Sequence, residues 1–142
     1  LGYRKATKAD NGRPAKAHRV HLSAPTLAEL ERIRGWERGG FVFPAKVDGK
    51  PKPIERHAPA HIVRRLVTRL EMPAWVPHDL RRSARTLWSD VLKVDPITAE
   101  KLLGHALPVL LRTYDRGEQW EERVDALERW GAHVVAVVEA EE

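Results

Sequence analysis

The chain has 142 residues, enough for one domain with a core of its own, and with 42% hydrophobic and 32% charged residues it is neither disordered nor low in complexity. Zero cysteines exclude a disulfide scaffold and thiolate metal sites and fit a reducing cytoplasm, while no apolar run approaches the about 20 residues of a membrane helix, so no membrane partner is expected. The net charge of +5 conceals an asymmetry: residues 1–85 carry 19 Lys/Arg against 8 Asp/Glu, a net of +11, and residues 86–142 carry 6 against 12, a net of −6. The first part suits a polyanionic partner, through phosphate contacts and counterion release, and the second does not face it.

In chain order, residues 1–8 read as extended, and Asp10-Asn11-Gly12-Arg13-Pro14 is turn chemistry. His18 to Leu22 reads as a return strand, giving a basic β-hairpin with a long tip. His18 and His21 are assigned to its surface. Ser23 or Thr26 caps the next helix, with Pro25 in its first turn, and Leu27, Leu30 and Ile33 carry it to about Trp36. Gly39-Gly40 ends that unit, Phe41-Val42-Phe43 is a short apolar stretch, and Val47 to Ile54, with Gly49, Pro51 and Pro53, reads as loop. A second helix is predicted over about 58–71, where Ile62, Leu66 and Leu70 repeat every four residues. Met72 to Pro77 connects it to a third helix beginning near His78, whose predicted buried stripe is Leu80, Ala84, Leu87 and Val91. Asp95-Pro96 opens a fourth helix that ends at Gly104, and Pro108 opens a short fifth leading to Tyr114. The last runs from about Glu118 to Val138 on Trp120, Val124, Leu127, Trp130, Val134 and Val138. The five tryptophans, Trp88 and Trp130 among them, fall near apolar stripes and are read as core. The fold class is mainly α with a small antiparallel β-hairpin or sheet, an α+β domain.

Three stretches carry candidate chemistry: His78-Asp79-Leu80-Arg81-Arg82, Leu103-Gly104-His105, and Arg112-Thr113-Tyr114-Asp115-Arg116. An arginine fork suits phosphate oxygens, and fixed cations stabilise the charge of a phosphoryl-transfer transition state. His78 precedes Arg81 by three residues, so on a helix both reach one phosphate. A glycine that ends a helix turns the backbone and aims His105. Tyr114 is flanked by Arg112 and Arg116, and guanidinium charge favours the phenolate over a phenol whose ordinary pKa is about 10. Lys8, on the strand before the turn, is a candidate general acid, with Lys5 and Lys16 as rivals. His57 and His61 are four apart, but Pro59 intervenes and no carboxylate follows at a useful spacing, so no metal is expected.

The order His-x-x-Arg, Leu-Gly-His, then tyrosine nine residues later resembles the catalytic domain of the tyrosine recombinases, the phage-integrase family. Thr7-Lys8 with Arg19-Val20-His21-Leu22 resembles the family's lysine-bearing hairpin, Phe41-Val42-Phe43-Pro44 the segment after its next helix, and Pro77 to Leu87 its second conserved block. Tyr114-Asp115-Arg116 and Ala126-Leu127-Glu128-Arg129-Trp130 look like bacterial prophage integrases, so the likeness spans nearly the whole chain. The resemblance implies one catalytic domain in the breaking-rejoining fold, made of a hairpin (1–22), a helical core (25–116) and a C-terminal helix and tail (118–142). Helices would gather Arg81, His78, His105 and Tyr114 into one cleft. Tyr114 would attack a DNA phosphate to give a 3′-phosphotyrosyl ester, Arg81 would hold the nonbridging oxygens, His78 and His105 would bond the same phosphate and assist proton transfer, and Lys8 would protonate the 5′ oxygen. Arg82, Arg85, Arg13, Lys16 and Arg112 are the expected DNA contacts. The partners implied are double-stranded attachment sites and a homo-tetramer on DNA, in a prokaryotic cytoplasm. The ester conserves the bond energy, so no nucleotide cofactor or metal is implied. The chain opens on Leu1, near the hairpin, so the family's further upstream arginine has no counterpart in it; it reads as a fragment, inactive or very weak alone. The rival readings are a DNA-binding module without chemistry and a helical interaction domain, with type IB topoisomerases as the nearest mechanistic neighbours.

Overall fold

The structure, a computed structural model, describes residues 2–4, 18–33, 41–47, 49–105, 107 and 117–140. The described residues are mainly helical, with two small antiparallel ribbons. Strands β1 (Gly2–Arg4) and β2 (His18–Val20) pair in the register Gly2 with Val20 and Arg4 with His18, as the N-terminal hairpin reading expects. Helix α1 spans Ala24–Ile33, directly after Ser23, whose hydroxyl lies 3.0 Å from that of Thr26.

The stretch read as loop is a second ribbon. Strand β3 (Pro44–Val47) pairs with β4 (Lys50–Pro53), Val47 opposite Lys50 and Pro44 opposite Pro53. Prolines argued against a strand because they have no N–H to donate. The register removes that objection. Across a two-residue connection the flanking pair, Val47 and Lys50, exchanges hydrogen bonds, and the pattern then alternates. Pro51 and Pro53 therefore fall at positions whose nitrogens point away from the partner strand. The bond from Ile54 N–H to the Phe43 carbonyl, 3.2 Å, has the matching phase. Gly49 supplies a φ of +73°, which an Asp-Gly hairpin turn needs.

Helix α2 (Ala58–Arg69) carries Pro59 in its first turn. Its inward residues are Val63 and Val67, not the predicted Ile62, Leu66 and Leu70, which are exposed. Helix α3 (Pro77–Asp90) starts with Asp79 reaching back to the Val76 N–H at 3.0 Å, a carboxylate in the first turn closing the helix entrance. Its buried line also differs from the predicted one. Leu80 is 62% exposed and Val91 50%, whereas Ala84, which the predicted line contains, and Trp88, read as core from its type, are buried. The two lines share Ala84, so the buried face is rotated from the predicted one by about 50°, half of one residue's turn. The indole of Trp88 decides the phase, because it packs edge-on against Trp130 with centroids 6.2 Å apart.

Helix α4 (Pro96–Leu102) is capped by Asp95, whose carboxylate accepts from the Thr98 N–H at 2.9 Å. The last helix, α5 (Trp120–Glu139), buries Arg123, Ala126 and Gly131, with Val124, Leu127 and Trp130 half-buried beside them; Val134 and Val138, counted in the predicted stripe, are exposed. Gly131 lets the start of α1 approach closely, since a Cβ there would lie 2.5 Å from Ser23 Oγ. The chain divides into two compact units, residues 1–26 with 87–142 and residues 27–86. Among the described residues no helix is long and apolar enough to cross a membrane. The predicted short helix from Pro108 lies outside the described residues.

Candidate functional site

In the unit of residues 27–86, α3 presents a basic band. At 3.6 residues per turn, His78, Arg81, Arg82 and Arg85 fall within an arc of about 100°. The band begins at the border of the buried face, where Arg81 and Arg85 are half-buried, and ends on the exposed His78 and Arg82. Its position follows from the phase set by Ala84 and Trp88: had the Leu80–Val91 line been inward, Arg81 would stand further out. A guanidinium whose stem is packed loses less freedom on meeting an oxyanion than a fully solvated one. Arg82 is 3.4 Å from Asp79, a long and exposed contact of little energetic weight.

In the other unit, α4 closes on His105. The N–H of Gly104 bonds the Lys101 carbonyl and the N–H of His105 bonds the Glu100 carbonyl, each at 3.0 Å, with Gly104 at φ +67°. These two bonds make a Schellman motif, which fixes the backbone direction of the residue that follows the glycine. The His105 ring is fixed as well, its Nδ1 lying 2.6 Å from Glu100 Oε2. The same helix holds the chain that returns from the tyrosine segment. Lys101 Nζ donates to the Gly117 carbonyl at 2.7 Å, and the buried Thr98 hydroxyl donates to Gln119 Oε1 at 3.0 Å. Gln119, at φ +46°, turns the chain into α5.

The hairpin is pinned to the start of α5. Arg19 lies over the Trp120 ring, 3.7 Å from its centroid, and Arg123, buried to 7% exposure, donates to the Arg19 carbonyl. Burial holds the Arg123 guanidinium below its ordinary pKa, with Glu118 opposing and Arg19 adding to the shift. His21, read as surface, is half-buried, 2.5 Å from Glu128 and edge-on to Trp120. His61, weighed as a metal ligand, is 2.7 Å from an Arg64 nitrogen, and among the described residues no cluster of three or more His, Cys, Asp or Glu is placed to hold a metal ion.

Tyr114, Lys8, Arg13, Lys16 and Arg112 lie outside the described residues. Four sequence-predicted residues, His78, Arg81, Arg82 and Arg85, share one face of α3, and His105 stands on the end of α4. Sequence reasoning missed Glu100, Lys101 and Arg123, and read Trp120 only as part of the last helix's stripe. Only the five-residue spacing of Glu100 and His105 around a helix-ending glycine was available to signal the first. No family model, no curated protein and no solved structure matches the chain.

Proposed function

We propose that this chain breaks and rejoins DNA strands by transesterification through Tyr114, as the tyrosine recombinases do. The observation that carries the reading is the double duty of α4. Its end aims His105, and its Lys101 grips the Gly117 carbonyl, three residues after Tyr114. Three residues of chain span at most about 11 Å, and that covalent limit holds between Gly117 and the backbone of Tyr114. The half-buried Arg81 and the basic band around it support the same chemistry, because a phosphodiester in transition needs fixed cations at its nonbridging oxygens.

In this mechanism Tyr114 Oη attacks the phosphorus and its proton passes to the His105 imidazole. The P–O5′ bond breaks, a 3′-phosphotyrosyl bond forms, and Lys8 gives a proton to the leaving 5′ oxygen. Arg81 and His78 bind the nonbridging oxygens. Attack of a different 5′ hydroxyl reverses the steps and yields the recombinant strand, which makes the function site-specific DNA recombination. The other DNA-binding side chains are Arg82, Arg85, Arg13, Lys16 and Arg112, and the homo-oligomer on attachment-site DNA belongs to the same reading.

The test is incubation of the protein, joined to any coding sequence that adjoins it, with a pool of nicked duplexes of randomised sequence, in which loss of a short fragment bearing the freed 5′ hydroxyl traps the ester. A covalent adduct is expected with the native chain and none with Tyr114→Phe, while DNA binding persists. If Tyr114→Phe changes nothing, the protein is a DNA-binding module without this chemistry.

A further inference from the structure

The contact between His105 and Glu100 is more specific than the rest of α4 requires. Both side chains are partly exposed, 50% and 33%, so as an ion pair it adds little to stability. Its effect is on the ring. An ionised carboxylate can only accept, so a 2.6 Å approach to Nδ1 requires the proton to sit on Nδ1. The imidazole then meets any substrate through Nε2, and a neutral ring meets it as an acceptor. The backbone of the same glutamate holds the His105 N–H at 3.0 Å, so Glu100 fixes both the residue and its tautomer.

We propose that Glu100 is the positioning residue of the site: it locks His105 as the Nδ1–H tautomer, which makes Nε2 the ring's proton acceptor. The role rests on the strand-breaking reading, in which His105 takes the proton of Tyr114. The logic is that of a base oriented by a third group, where the orienting carboxylate does not touch the substrate.

Two measurements test it. Nitrogen-15 NMR of the imidazole in the protein without DNA reads the tautomer directly. The native chain is expected to show Nδ1–H for His105, Glu100→Ala to revert to the Nε2–H form favoured by free histidine, and Glu100→Gln, whose amide oxygen still accepts, to keep Nδ1–H. The rate of adduct formation on the nicked-duplex pool should fall about 10–100-fold in Glu100→Ala, the usual range for loss of such an outer partner, and recover most of that in Glu100→Gln. Circular dichroism of both variants separates loss of the role from loss of the fold. An Nε2–H tautomer in the native chain, or a Glu100→Ala protein of native fold and native rate, overturns the proposal. An Nδ1–H tautomer in a native protein that forms no adduct when joined to any coding sequence that adjoins it instead overturns the strand-breaking reading, leaving the tautomer standing without its chemical role.

Discussion

Arg81 owes its place to a neighbour's bulk. Trp88 turns inward, carries the helix phase with it, and leaves the guanidinium at the rim of the buried face. Under the proposed mechanism its planar fork bridges two nonbridging oxygens. Arg81→Ala should therefore slow adduct formation by about 10²–10³ while leaving the fold intact, as removal of one preorganised transition-state donor does. Arg81→Lys keeps the charge and loses the fork, so it should fall between. Single-turnover rates on the nicked pool check both, and a native rate in Arg81→Ala would remove this side chain from the mechanism. Arg123 presents the contrasting case. It is a buried cation on a helix whose inward face is read from an apolar stripe, and hydropathy gives no hint that it faces inward. Only its three-residue spacing from Trp120, which lets both meet Arg19, explains it.

Among the elements, α4 and α5 give the firmest expectations. Gly131→Ala gains about 1 kcal/mol of helix propensity but drives a Cβ to 2.5 Å from Ser23 Oγ, and such overpacking costs about 1–3 kcal/mol. A net loss of about 1 kcal/mol is expected by chemical denaturation. In a Ser23→Gly background, where both close atoms are gone, the same substitution should become neutral or stabilising; a loss that persists there would exclude the steric cause. Asp95→Ala removes the side chain that holds the Thr98 N–H and should cost about 1 kcal/mol. This cap was legible in the sequence, as were the N-terminal pairing, the order of the described helices and the glycine that ends α4, because each depends on local backbone chemistry. The buried face of α2 was not, and that of α3 only in part. Ile62 and Leu66 match the helical period of α2 as well as Val63 and Val67 do, and only packing chooses between them; on α3 Ala84 and Trp88 are read as core, and the period gives no sign that Leu80 and Val91 are exposed. The candidate site is read from the sequence as an ordered set of residue types, and of the side chains found bonded around it Lys101 carries no signature, while Glu100 is signalled only by its five-residue spacing from His105.

Across the whole molecule, the excess of +11 in residues 1–85 sets the response to salt. Under the proposed function, DNA affinity should fall linearly on a log–log plot against salt, with a slope near −0.9 per neutralised phosphate. Arg82 is exposed on α3 and only weakly engaged by Asp79, so Arg82→Ala should weaken binding to all sequences alike and make the slope shallower by about one. Fluorescence anisotropy over a salt series measures both, and an unchanged slope would show that Arg82 does not meet the backbone. The ribbon of β3 and β4 has a different consequence for an exposed, cationic protein. A free sheet margin ordinarily invites a further strand from another polypeptide. Here the outward nitrogens of β4 belong to Pro51 and Pro53, so that margin offers no donors to an incoming chain, and the exposed Lys50 and Lys52 add charge along it. The residues that disguised the segment as loop guard it against fibril-like growth.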